Sequence, residues 1–331
     1  VMLTSKLLGF VRQVVIAAAF GSGAETDLYF VSSDFMISLS GALLSALSTA
    51  LVARYIEISV KDSREAAGKV ASQMLSLFLL IAAACIGLTC LFAPQLARLL
   101  SPTVAGENAA RLARYLRFFS VTFVFTAFQS IYASVLNAND RYVPGKLYGV
   151  VYNPIAIGCA VLLSGRFGIR VLLWAYLAGN LLQTLLLRRC SRRIFTFRPT
   201  LSLRSENVRY LVRLSVPLLL SNLFLQLNGA VDKALCSYLG EGFASNYQYA
   251  YTLEQFATLS LILLSRYSTY VAENDTERLT GEFHRSVGGL VLLLAPIALL
   301  ACIFSADLVR IVYLRGEFDA VAAQYTAQAL V

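Results

Sequence analysis

The chain has 331 residues, 58% hydrophobic and only 14% charged, with a mean hydropathy of +0.67 and a formal net charge of +9. A soluble domain carries about 25% charged residues, so this composition argues against a water-soluble enzyme. The basic residues lie mostly in loops between apolar runs, which is a membrane pattern and not a nucleic-acid-binding face, so no nucleic acid is expected as a partner.

Helix-length apolar runs recur near residues 1–20, 28–53, 70–93, 115–137, 146–164, 170–187, 210–237, 245–270, 286–304 and 319–331. About 18 or more residues suffice to span roughly 30 Å of hydrocarbon as helix. The alternation of a porin-type strand is absent. The expected class is an all-α polytopic membrane protein. No signal-peptide architecture is visible, because Arg12 interrupts the first run. Val331 falls inside an apolar helical pattern, so further helices are expected beyond it.

The first run carries Lys6 and Arg12. A cation inside a span costs about 2.5–3.5 kcal/mol on insertion scales and is rarely kept without a use. The turn Phe20-Gly21-Ser22-Gly23 follows, then Asp27, then a long second run holding Asp34. Gly41, Ser45 and Thr49, with Ala42 and Ala46 alongside, form a small-residue stripe that permits close helix approach, either as fixed packing or as a sliding contact. Arg98, Arg111, Arg114 and Arg117 are interleaved with Leu96, Leu99, Leu100, Leu112 and Leu116, a pattern expected of an interfacial amphipathic helix. Gly145-Lys146-Leu147-Tyr148-Gly149 is formally a GxxxG motif, but Lys146 inside it predicts a membrane-edge turn.

Residues 188–213 hold eight arginines against one acid, Glu206. This is the natural boundary: an N-terminal lobe over 1–187, a basic linker over 188–209 and a C-terminal lobe over 210–331. The Lys/Arg excess puts the linker and the N-terminus in the cytoplasm of a bacterial inner membrane, with the linker on anionic membrane lipids. A weak repeat spans the boundary. Phe20-Gly21-Ser22-Gly23 with Asp27 is echoed by Leu239-Gly240-Glu241-Gly242 with Asn246, and Phe92 to Arg98 by Phe304 to Arg310. Parallel repeats of this kind commonly hold a substrate site between them, near the midplane.

Six cysteines occur without a CxxC pair and read as small buried hydrophobes. A single histidine, His284, leaves no HExxH motif, and neither a metal site nor a cofactor is expected. That argues against an intramembrane protease or a sugar transferase. The functional signal is the set of intramembrane ionisable residues: Lys6, Arg12, Asp34, Asp232, Lys233, Glu254 and Arg266. Snorkelling accounts equally well for Lys6 and Arg266. Arg12 reads as a cavity residue or as half of a structural ion pair. Asp34 and Glu254 divide evenly between the same two roles, and a carboxylate there could couple to protons or Na⁺. Arginine suits a diphosphate because its planar fork donates in pairs. Asn246-Tyr247-Gln248-Tyr249-Ala250-Tyr251 would suit a sugar, or its tyrosines would sit in an interfacial belt.

Four passages carry a resemblance. They are Leu8-Gly9-Phe10-Val11-Arg12 through Phe20-Gly21-Ser22-Gly23 to Thr26-Asp27; Leu136-Asn137-Ala138-Asn139-Asp140-Arg141-Tyr142-Val143-Pro144; the Asn153-Pro154 step; and Leu314-Arg315-Gly316-Glu317-Phe318-Asp319. In order along the chain they resemble the MurJ/MviN group of lipid II flippases, within the superfamily of multidrug and polysaccharide-lipid exporters. The resemblance implies two six-helix lobes around a central cationic cavity, plus two trailing helices. It implies alternating access and a polyprenyl-diphosphate-linked saccharide as substrate. The family's first-helix cavity arginine falls on Arg12 and its acidic turn residue on Asp27. The chain departs from the family at Ser40 and Thr252, where arginines are expected, and at Ser45, where an acid is expected. An exopolysaccharide or O-antigen unit therefore stays open as substrate, and a cation-coupled multidrug antiporter or a non-transporting scaffold as alternative functions. The candidate cavity residues are Arg12, Asp27, Asp34, Asp232, Lys233, Asn246, Gln248 and Glu254, in a monomer.

Overall fold

The computed structural model describes residues 2–200, 205–257, 288, 292, 295–296 and 298–331. Arg266 and His284, singled out above, lie outside them. The described residues form helices joined by short turns, with no strand among them. They comprise α1 (Met2–Phe20), α2 (Ala24–Lys61), α3 (Arg64–Leu100), α4 (Gly106–Ser120), α5 (Thr122–Asn137), α6 (Tyr148–Phe167), α7 (Arg170–Ser191), α8 (Glu206–Leu239), α9 (Phe243–Ala257), α10 (Ser305–Tyr313) and α11 (Ala320–Leu330). Seven stretches among the described residues are long and apolar enough to cross a membrane; α4 and α5 together make one of them, Gly106–Asn137.

Local chemistry explains where these helices start. Ser63 caps α3 by accepting from Ala66 N at 3.1 Å, and Asp319 caps α11 by accepting from Ala322 N at 2.7 Å. Such caps satisfy amides that have no partner inside the helix. The Pro144–Lys146 segment is a single 3-10 turn leading into α6, the membrane-edge turn expected from Lys146. Pro94, Pro154 and Pro217 lie inside α3, α6 and α8, where neighbouring helices can compensate for the lost backbone bond.

Helix α2 is the central post. It packs on α3, α4 and α5 and, along much of its length, on α8. The small-residue stripe explains the last contact. Asn222 of α8 donates to Ala42 O at 3.1 Å and to Ser45 Oγ at 3.3 Å, an approach that bulky side chains on α2 would block. Helix α1 lies in the groove between α6 and α9.

Three sequence expectations change. Leu112 and Leu116 are fully buried against the helices around α4, so these leucines of the expected interfacial helix face protein. Arg111 is held by Glu25 at 2.6 Å and Glu107 at 2.8 Å. Helices reach into the expected linker from both sides, α7 to Ser191 and α8 from Glu206. Finally, Phe92 to Arg98 lies within α3, whereas Phe304 is the N-cap of α10, so the second echo differs in local structure.

Candidate substrate cavity and its closed end

Helices α1 and α9 touch at one end and part at the other. At the parted end, Lys6, Gly9, Phe10, Arg12 and Gln13 of α1 face Gln248, Tyr251 and Thr252 of α9 across a cavity of about 300 Å³. Lys6, Gly9, Phe10 and Gln13 fall at helical spacing, so one face of α1 presents them together. The Arg12 guanidinium lies over the Tyr152 ring of α6, with Cζ 5.1 Å from the ring centre. That contact orients the cation without neutralising it. Arg12 Nε and Gln13 Oε1 are buried and lack a hydrogen-bond partner among the described residues. An unpaired buried donor is costly, and water or a ligand in the adjoining cavity would satisfy it.

Asp34 of α2 lies one step further in. It shares a void of about 10 Å³, roughly the space of one water, with Lys233, Tyr247 and Gln248. It feels the charges of Lys233 and Arg12 without closing a direct ion pair with either among the described residues. Lys233 thus belongs to the pocket beside Asp34. Among the described residues the cation sharing the cavity with Arg12 is Lys6, which snorkelling could have explained from sequence.

The closed end is built from turns. The Asp27 carboxylate accepts from Gly242 N at 2.6 Å, from Ser245 N at 2.7 Å and from the Ser245 hydroxyl. An acid from the first turn of α2 thereby caps the start of α9, favourably placed against its dipole. The two echoed glycine turns therefore meet each other. Tyr249 donates its hydroxyl to Gly21 O at 3.0 Å, and Tyr313 donates to Tyr249 O at 3.2 Å.

The other expected residues separate. Asn246 is buried and accepts from the Thr326 hydroxyl of α11 at 3.2 Å, away from the Arg12 cavity. Asp232 is half-buried on α8 and lies towards Tyr247. Glu254 is exposed on α9 and is not part of the cavity wall. Gln248 does line the cavity, and it lines the Asp34 void as well. Gln13 was missed in the sequence; its signal was a polar residue beside Arg12 in an apolar run. The three positions that depart from the resemblance carry neutral bonds. Ser40 Oγ pairs with Thr126 Oγ1 at 3.2 Å, Gln13 Nε2 donates to Thr252 Oγ1 at 3.4 Å, and Ser45 takes the Asn222 bond.

A family model described as lipid II flippase MurJ matches residues 16–331. The chain belongs to the MurJ lipid II flippase family. A probable lipid II flippase MurJ of Rhizobium meliloti (strain 1021) is 25% identical over 339 residues, covering 96% of this chain and 62% of that protein. The chain thus spans under two thirds of that relative's length. Among solved structures, a lipid II flippase MurJ in an inward closed conformation aligns with a TM-score of 0.86 at 22% identity, over 99% of this chain and 69% of the other. A multidrug-resistance MATE transporter of the MOP superfamily, inward-facing, aligns with a TM-score of 0.75 at 17% identity, over 98% of this chain and 76% of the other. The fold is the one that MurJ and MATE proteins share. It agrees with the expected all-α membrane class.

Proposed function

We propose that this MurJ-family chain belongs to a transporter, not an enzyme, that moves a polyprenyl-diphosphate-linked cell-wall saccharide across the bacterial inner membrane by alternating access. The observation that carries this reading is the unpaired Arg12 Nε, buried beside Lys6 in the α1–α9 cavity. A diphosphate at membrane depth needs compensating cations, and Arg12 offers a planar donor fork. Lys6 supplies the second positive charge. Gln13, Gln248 and Thr252 offer neutral hydrogen bonds to sugar hydroxyls next to it. Lipid II is the substrate named for the relatives. The neutral pairs at Ser40 and Thr252 leave room for another saccharide on the same lipid carrier.

The test is outer-leaflet appearance of labelled lipid-linked saccharide in cells holding equal amounts of each variant. Arg12→Ala abolishes it, and Arg12→Lys restores it only in part because the fork is gone. Wild-type transport by Arg12→Ala would overturn the cavity role. Offering lipid II and a lipid-linked polysaccharide unit side by side decides between the two substrates. In the proposed orientation the N-terminus and the basic linker are cytoplasmic. A cysteine at Ser202 then stays unlabelled by an impermeant reagent in intact cells, and labelling would reverse the topology.

A further inference from the structure

One contact joins the two ends of the chain and is not used by the proposed transport step. The turn after α1 meets the turn between α10 and α11, nearly three hundred residues later, backbone against backbone. Glu317 N donates to Ala18 O at 3.0 Å. Gly21 and Gly316 both stand at φ +61°, in the left-handed region that favours glycine. A Cβ on Gly316 would fall 2.1 Å from Ala18 O, and a Cβ on Gly21 would fall 2.5 Å from Glu317 O. Each glycine therefore makes room for the other turn's backbone. Tyr249, Tyr313 and Phe318 seal the contact. All three are buried, and the Tyr249 ring lies 5.3 Å from Tyr313 and 5.5 Å from Phe318 between centres.

We infer that Gly21 and Gly316 form a reversible backbone lock that holds the α1–α2 end of the central cavity shut. Three features suit a contact that opens and recloses. The two turns are joined by a single backbone hydrogen bond; the Tyr249 hydroxyl on Gly21 O and the Asp27 bonds to Gly242 and Ser245 close the same end beside them, and among the described residues no ion pair crosses the contact. It lies on turns, which can separate without unravelling a helix. It lies at one end of the α1–α9 seam whose other end is already parted around Arg12. A side chain at either glycine prevents reclosure and shifts the protein towards the state open at that end. The identity of the transported lipid does not enter this argument, although the purpose of the lock rests on the transport reading.

The native Cys236 provides the reporter. It is buried and lines both the pocket shared with Asp27, Lys233 and Ser237 and the small void beside Asp34 and Gln248. In the full-length protein, with every other cysteine replaced, the measurement is the rate at which an impermeant maleimide labels Cys236. Gly21→Ala and Gly316→Ala are expected to raise that rate several-fold. Gly23→Ala is the control from the same turn: its φ of −174° is ordinary extended backbone and its Cβ would meet nothing within 4 Å, so it labels as wild type. Tyr249→Phe keeps the ring and removes only the hydroxyl that reaches Gly21 O; it raises the rate by a smaller factor. Should the glycine variants fail to reach the membrane, Tyr249→Phe alone decides. Wild-type labelling in the glycine variants, or in Tyr249→Phe where those are lost, overturns the lock and leaves static packing. Because no substrate is involved, this outcome is independent of whether Arg12→Ala transports.

Discussion

The two ends of the α1–α9 seam use opposite chemistry. At the closed end every polar group named above is paired. Asp27 takes two backbone amides and a hydroxyl, Tyr249 reaches Gly21 O, and Glu317 N reaches Ala18 O. At the cavity end Arg12 Nε and Gln13 Oε1 are buried without partners among the described residues. One end of the seam thus pairs its polar groups, whereas at the other only Gln13 Nε2 reaches across, to Thr252. Closure needs self-satisfaction; binding needs a deficit that the ligand fills.

Asp27→Ala should do most damage to that contrast. It strands the amides of Gly242 and Ser245 and removes a charge from the start of α9, for a loss of about 3 kcal/mol or more. The check is the thermal transition in detergent, together with Cys236 labelling, which should rise. Asp27→Asn keeps the shape and one acceptor, and falls between. An Asp27→Ala protein as stable as wild type and equally slow to label would mean that the closed end is held elsewhere.

Gln13→Glu sharpens the other side. It puts an internal carboxylate beside Arg12, which then competes with a diphosphate for the same cation. Transport is expected to fall by about an order of magnitude. Unchanged transport would mean that the substrate's anion does not sit near Arg12.

Smaller effects come from regions outside the seam. Arg54 Nε and Nη2 both donate to Asn207 Oδ1, at 3.0 and 2.6 Å, while the guanidinium also bonds Glu57 and lies over Tyr210. Asn207→Ala should cost about 1 kcal/mol, because Glu57 and the ring still hold the cation. The smallest effect is Lys69→Ala. Lys69 and Glu65 are 4.0 Å apart and largely exposed, so melting should not change measurably.

The membrane class, the number and order of the first seven spans and the turn at Lys146 were legible in the sequence, but the span ends were not: α2 and α3 run over Ala24–Lys61 and Arg64–Leu100 where 28–53 and 70–93 were expected. The legible features are written locally, in the length of an apolar run, a glycine turn or a charge where hydrocarbon forbids one. Which residues would share a site was not legible. Asn246 and Gln248 stand two positions apart on α9, yet one packs against Thr326 and the other lines the cavity. Lys233 was among the candidate cavity residues and Lys6 was not, yet Lys6 lines the cavity with Arg12 and Lys233 the void beside Asp34. Helical periodicity says which residues share a face of one helix, but not which neighbour that face will meet. The lock depends on this most. Gly21 and Gly316 read as ordinary turn residues, and only the packing of α1 against the α10–α11 turn brings one backbone within reach of the other.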